Sequence, residues 1–446
     1  MSMNYRMIKP IFFVAGFLTF PVWGSDSTSL NQEVQLIPDH ELSIEVKTIR
    51  PIANYVIETG SNSIPFEMMS RMVLGGYIST DRMESITNSL SENNRLGFYQ
   101  SWHIGLYPIP KIFETQSENK LALKQVRFIS ESFGGATFTE DAFGLIFRGN
   151  TPYLGKELNT GSNRFMTFSQ KGLRFDFEKK SFSWAVQLHQ ISNYNNLQTE
   201  NLSVYSSSIG DSIAMKGSMF SQTSDPNESA GWGAQLNFSY FKKIGKGVAF
   251  FGFENLGINQ LSNVKTIYRG VQFENSSIDP IKWVDEEKIT IVPLNLAISD
   301  LVGSKWFRNT RDTLIQDLNF DTITQRGTFY TPIHLFAQYH RNLNNNSSSG
   351  LMWYNVRVDY RYLLGYFPKL STTFNFKPFA KGKLRNLNVH GGVSLGGFDT
   401  WDINAGVEWY TNPLYIKLHF TGIESFIAPS SQHGGGMQLT LFYPFY

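Results

Sequence analysis

Runs of about ten residues in which apolar and polar side chains take strict turns recur along this chain, and they leave few folds open. Trp401, Ile403, Ala405, Val407 and Trp409 alternate with Asp402, Asn404, Gly406 and Glu408. Leu414, Ile416, Leu418 and Phe420 alternate with Tyr415, Lys417, His419 and Thr421. Tyr354, Val356, Val358, Tyr360 and Tyr362 alternate with Asn355, Arg357, Asp359 and Arg361. Ile333 to His340, Trp232 to Phe241 and Phe182 to His189 repeat the pattern. In a strand, a period of two puts each set on its own face. Every run therefore has one greasy face and one wet face.

A soluble sandwich alternates too. These runs are long, however, and aromatic residues sit near several of their ends, as in the interfacial girdles of membrane barrels. About ten residues is the length of a tilted transmembrane strand. Aromatics make up 15% of the chain, with 37 Phe and 20 Tyr. The mean hydropathy is only −0.22, which excludes a helical membrane protein. Polar turns separate the runs at Asn342–Gly350, Lys243–Gly247 and Thr411–Pro413. The expected fold is all-β: a transmembrane antiparallel outer-membrane β-barrel of about 14 strands.

The N-terminus fits export. Arg6 and Lys9 precede the apolar run Ile11–Val22 and then Trp23-Gly24-Ser25, the plan of a cleaved signal peptide. Residues 1–24 are read as that leader and 25–446 as one barrel domain. The expected location is the cell outer membrane. Losing Arg6 and Lys9 takes the formal charge from +2 to 0, which gives no support to nucleic-acid binding. There is no Cys, so disulfides, thiolate metal sites and cysteine catalysis are excluded. No cofactor or metal is expected.

Two stretches read as helical. Ser63 to Gly76 has Ser63 as a cap and Pro65 in the first turn, and Thr80 to Leu90 follows it. Thr139 to Gly149 carries acids in its first turn. Helices do not fit a barrel wall, so 63–90 and 139–149 are expected to plug the lumen or cover a mouth. Asp300 to Gln325 reads as a long loop.

Charge is expensive against lipid, about 2–4 kcal/mol for Arg or Lys at the midplane, so the charged set of each strand turns inward. Arg357, Asp359 and Arg361 share one face of one strand. Asp402, Glu408, Lys417 and His419 have the same sense on neighbouring runs. These seven form the expected lumen-facing polar wall. They either make a salt-bridged wall that holds the plug or line a permeation path. Mixed signs favour the first, because a selective pore shows one dominant sign. Gly392-Val-Ser-Leu-Gly396 matches G-x-S-x-G, but that elbow needs a strand-to-helix turn, and here the run continues as a strand. Gly210-Asp211-Ser212 reads as a turn. His189, His334, His340 and His419 read as wall residues, and no enzyme is expected.

With Glu41 to Leu90, Glu140 to Asn150, Asn201 to Ser207 and Phe251 to Gly257 in view, the chain resembles an uncharacterised family of Bacteroidota outer-membrane β-barrels. Their architecture is similar to that of FadL-type transporters and of PorV-type barrels. The resemblance implies a plugged channel or transporter for a small, apolar ligand. The alternatives are a structural or docking subunit of a secretion or barrel-assembly complex and, less favoured, an outer-membrane lipid hydrolase. No catalytic residue carries over.

The chain ends on Met437, Leu439, Leu441, Tyr443 and Phe445 at every second position. That pattern resembles the C-terminal signal of outer-membrane proteins, here ending at Phe445 with Tyr446 as an overhang. The implied partners are outer-membrane lipid, the barrel-assembly machinery during biogenesis and further envelope proteins.

Overall fold

The structure is a computed structural model describing residues 50–74, 76–107, 122–148, 151–179, 181–208, 213–224, 229–275, 288–291, 322–343, 349–379, 381–382, 384–411 and 414–443. The leader 1–24, the loop 300–321, the Gly210–Ser212 motif and Phe445 lie outside the described residues. From the N-terminus the strands are β1 (Arg50–Ser61), β2 (Gly76–Ser79), β3 (Asn94–Tyr107), β4 (Ala122–Phe138), β5 (Glu157–Lys179) and β6 (Phe182–Ser206). There follow β7 (Ile213–Ser224), β8 (Gly231–Ile244), β9 (Gly247–Asn275), β10 (Lys288–Ile291), β11 (Thr322–Tyr330) and β12 (His334–Asn342). The last six are β13 (Gly350–Arg361), β14 (Phe367–Lys377), β15 (Leu387–Gly397), β16 (Trp401–Thr411), β17 (Leu414–Thr421) and β18 (Gly434–Phe442).

Fourteen of these close a ring in the order β1-β3-β4-β5-β6-β8-β9-β12-β13-β14-β15-β16-β17-β18 and back to β1. All the pairings are antiparallel, and the closing one sets Ile52 opposite Phe442 and Gly60 opposite Gly434. Closure leaves no wall edge with unpaired backbone groups, which is what makes a sheet tolerable in lipid.

The alternation maps onto the wall. On β6, Leu188 is 55% exposed and its neighbour Gln187 1%. On β15, Leu395 is 56% exposed and Ser394 1%. Trp184, Phe251, Val358, Phe374, Ile403 and Trp409 are likewise exposed on the outside. An apolar band this continuous exceeds what a soluble monomer displays and belongs in lipid.

Strand length departs from the ten-residue expectation on one side. β5, β6 and β9 have 23, 25 and 29 residues. Beyond the wall they continue as a raised sheet, in which β7 pairs with β6 and β9, and β11 with β9. The first residues of β11, Thr322–Gln325, fall in the stretch expected to be loop. This raised side lies at the far end, away from the ends of β1 and β18 that meet the chain termini.

Three helices also lie at the far end: α1 (Phe66–Leu74), α2 (Thr80–Thr87) and α3 (Glu140–Arg148). A short α4 (Ile423–Ile427) precedes β18. Ser61 Oγ, rather than Ser63, accepts from the Ile64 N–H at 2.9 Å ahead of α1. Ser79 caps α2, and Thr139 Oγ1 accepts from the Ala142 N–H at 3.2 Å. Met68, Met69, Met83, Ile86 and Phe143 bury themselves together against Leu96 and Phe138. Leu96 and Phe138 belong to the outward sets of β3 and β4. Phe66 stacks edge-on with Phe426, and Phe426 with outward-facing Phe420. The helices therefore cover the outer face of the wall at its rim, and the expected plug position in the lumen is corrected. Their apolar sides are matched by outward side chains, whereas the lumen beside them is already filled.

Candidate functional site: a sealed lumen

The seal begins on β13. Asp359 Oδ2 lies 3.5 Å from Arg357 Nε, and Asp359 Oδ1 accepts from Tyr366 OH at 2.9 Å. His334 of β12 bridges Asp359, at 3.4 Å, and Glu254 of β9, at 3.0 Å. Arg361 points away from its own strand pair. Its Nη1 is 3.6 Å from Glu58 Oε2 on β1, and its guanidinium lies 4.3 Å from the Tyr99 ring centre on β3. Round the ring, β13 and β3 are seven strands apart in either direction, so they face one another. An Arg and a Tyr that touch from facing walls bridge the lumen at that level. Lys369 of β14 completes the crossing, with Nζ 3.0 Å from Glu58 Oε1 and 3.1 Å from Asp402 Oδ2.

Glu408, Lys417 and His419 lie apart from that crossing. Lys417 Nζ is 3.7 Å from Glu408 Oε1, and His419 Nδ1 is 2.7 Å from His390 Nε2 with the rings stacked. Of the seven expected residues, then, Arg357, Asp359, Arg361 and Asp402 are joined in one network, and Glu408, Lys417 and His419 form a second.

Two further clusters went unread in the sequence. Asp176 on β5 accepts from Arg127 Nε at 2.9 Å and Arg174 Nε at 3.0 Å, all three buried. A band of amides runs through Glu131, Gln170, Gln235 and Asn259 to Thr331, where Asn259 Nδ2 donates to Thr331 Oγ1 at 2.7 Å. The same alternation rule, applied to β4, β5, β8 and β9, would have found the strand residues of both. Glu58 and Lys369, which with Arg361 carry charge across the lumen, have no local signature. Ser394 sits mid-strand, donating to Asp402 and accepting from Asn404, with no histidine on it and no elbow, so it is a wall residue.

Toward the far mouth the filling turns apolar. Tyr99, Phe133, Phe168, Tyr194, Tyr366 and Phe398 form one buried cluster. Two inter-strand turns fold inward to complete it: 362–366 after β13, and 398–400 after β15. Tyr366 and Phe398 meet edge-on at 5.0 Å.

The turns rest on a bare lane. Gly434, Gly60, Gly97 and Gly135 are direct cross-strand partners on β18, β1, β3 and β4, and all four face inward. A β-carbon on Gly60 would lie 2.8 Å from Phe398 Cβ, and one on Gly97 would collide with the Phe398 ring. One on Gly434 would lie 2.6 Å from Asp399 Oδ2, and one on Gly135 would strike the Leu364 carbonyl. Glycine weakens a strand, so four in register mark a place where another chain segment must approach closely. Burial holds the Asp399 carboxyl up to about 7, helped by Asp402 and Glu424 and opposed by the Thr400 N–H and Lys369.

These features define a lipid-facing, fourteen-strand β-barrel with a lumen sealed by its own side chains and turns. No protein-family model matches the chain, and no curated protein matches it. Among solved structures it is similar to a Pseudomonas aeruginosa FadL homologue (8% identity, 90% of this chain and 91% of that one, TM-score 0.39). It is also similar to the P. putida toluene transporter TodX (9%, 90% and 91%, TM-score 0.32). A third is the translocator domain of the autotransporter NalP from Neisseria meningitidis (10%, 96% and 100%, TM-score 0.31). Likeness at this level is a likeness of barrels, and the functional argument rests on the lumen.

Proposed function

We propose that this is an exported outer-membrane barrel, with Met1–Gly24 as its cleaved leader, that passes a small apolar ligand and acts as a conduit rather than an enzyme. One observation carries the reading. A buried aromatic cluster lies inside the lumen, and what closes the lumen around it is side chains and two short turns. Side chains and short turns move without unfolding a domain. An apolar molecule entering between Phe133, Phe168 and Tyr194 would find the partners it lacks in water.

The test is uptake of an apolar fluorescent probe by Gram-negative cells that carry the barrel in their outer membrane. Wild type should speed entry over cells without the barrel. Phe133→Asp together with Phe168→Asp should remove the gain while leaving the folded barrel in place. Equal entry with and without the barrel would end this reading.

A second reading, a docking subunit of an envelope complex, has one observation in its favour. Helices α1 to α3 occupy wall surface that a simple channel leaves to lipid. Mild-detergent purification from the native membrane decides it: a stable partner lost on replacing the 63–90 segment supports docking, and a lone barrel argues against it.

A further inference from the structure

The turn at 398–400 has the parts of a moving closure. Its stem contains two adjacent glycines with positive φ, Gly396 at +91° and Gly397 at +88°, a backbone shape other residues rarely take. The Gly396 N–H donates to the Thr400 carbonyl at 3.0 Å, so the tip is a closed loop that can swing as a unit. Its seat lies on β18, β1 and β3, two to four strands round the ring from β16, rather than on its own hairpin. Phe398 fills the socket over Gly60 and Gly97, and Asp399 rests on Gly434. With the tip withdrawn, that wall offers glycine backbone alone, and no other lumen-facing row on these strands is so bare.

We propose that the 398–400 turn is a gate, hinged at Gly396–Gly397 and seated in the glycine row Gly434–Gly60–Gly97–Gly135, and that the conduit opens along that row. This rests on the reading of the lumen as a closed conduit and adds which element moves and which wall the ligand follows. The 362–366 turn occupies the last position of the same row, at Gly135, and packs on Phe398 through Tyr366, so it bounds the gate on its far side. Lys369, bound to Glu58 and Asp402, holds the frame beneath it.

The chain has no cysteine, so an introduced pair is unambiguous. The full barrel is placed in planar bilayers and ion conductance is read. Phe398→Gly should raise the time spent conducting at least tenfold over wild type, and Gly97→Leu, which fills the socket, should do the same. Asp399→Cys with Gly434→Cys should silence the barrel when oxidised and release it on reduction, since a β-carbon at 434 lies 3.0 Å from the Asp399 β-carbon and the turn needs to back off by only about 0.5–1 Å to reach disulfide spacing. Heat-modifiable mobility on gels checks that each variant is a folded barrel, and neither Phe398→Gly nor the lock depends on Gly97→Leu folding. Phe398→Gly conducting no more than wild type, or an oxidised pair conducting as well as the reduced one, overturns the gate. Ion conductance does not depend on the ligand. Gated conductance without apolar uptake would therefore sink the ligand reading alone, and apolar uptake that ignores the oxidised lock would sink the gate alone.

Discussion

The two sides of this lumen are made of the same kind of strand but carry opposite contents. On β18, β1, β3 and β4 a row of four glycines strips the wall to backbone. Across from it at β13 and β14 and round toward β17, β13 to β16 carry Arg357, Asp359, Arg361, Lys369 and Asp402, and from their far ends come the two inward turns. A barrel can be closed by a separate plug or by bulky side chains all round. Here one side supplies the stopper and the other is cleared to receive it. Ion pairs across the gap set the distance between the two. The closure is a fitted contact between unlike walls, so it can be loosened from either one.

The comparison breaks most sharply at Glu58, the one carboxylate on the bare side that answers both Arg361 and Lys369. Glu58→Ala would leave two buried cations with one partner fewer. Removing one member of a buried pair typically loses about 3–5 kcal/mol, mostly from the charge left behind. The expected outcome is a marked fall in the temperature at which the gel mobility of the barrel changes. Glu58→Gln should fall less, since it keeps an oxygen for Lys369. Unchanged stability in both would mean that the facing walls are held by packing alone.

The alternating runs were enough to read a barrel wall and to say which side of each strand meets lipid, because burial of one face repeats at every second residue. The inward sense of Arg357, Asp359 and Arg361 follows from that period alone. Their partners do not. Glu58 and Lys369 are 311 residues apart in the chain, and their meeting depends on how the ring closes. The glycine row was equally hidden. Gly60, Gly97, Gly135 and Gly434 are unremarkable one by one and mean something only once the registers set them side by side. The helices were found near their sequence positions, but the side of the wall they cover depends on packing with Leu96, Phe138 and Phe420. The signature G-x-S-x-G was legible and empty, since the motif without a helix after it is only a strand.

A pH titration sharpens the comparison at the seat itself. Asp399 faces Asp402 of β16, Glu424 of α4, Lys369 of β14 and Arg95 of β3, and its carboxyl is held up to about 7 against an ordinary 3.8. Below pH 4 the proton is on in both seated and released turns. Between about 4 and 7 the seated turn keeps a proton that the released turn gives up. Seating therefore weakens as pH rises through that window, by on the order of 1.4 kcal/mol per pH unit at most, and levels off above about 7. Conductance should be lowest in acid and rise toward neutral pH. Asp399→Asn should flatten that rise and stay near the acid level throughout. A wild-type conductance that fell with rising pH would have the wrong sign for this arrangement.

The smallest effect is the cleanest, because it uses the same substitution on the two faces of the wall. Gly97 on β3 faces the lumen, and Gly391 on β15, in the outward set with Val389 and Val393, faces away from it. An alanine at 97 would drive its β-carbon into the Phe398 ring. An alanine at 391 would have its closest neighbour, the Asn404 carbonyl oxygen, at 3.6 Å, an ordinary contact. Glycine within a strand is less stable than alanine by roughly 0.5–1 kcal/mol when there is room for the methyl. Overpacking typically costs about 1–3 kcal/mol. Gly391→Ala should therefore raise resistance to urea slightly, and Gly97→Ala should lower it. Adding Phe398→Ala to Gly97→Ala should restore part of the loss by returning the space, and adding it to Gly391→Ala should restore nothing. If the two single substitutions shift stability alike, the bare lane is not a seat, and Gly97 is no more constrained than a glycine on the outer face.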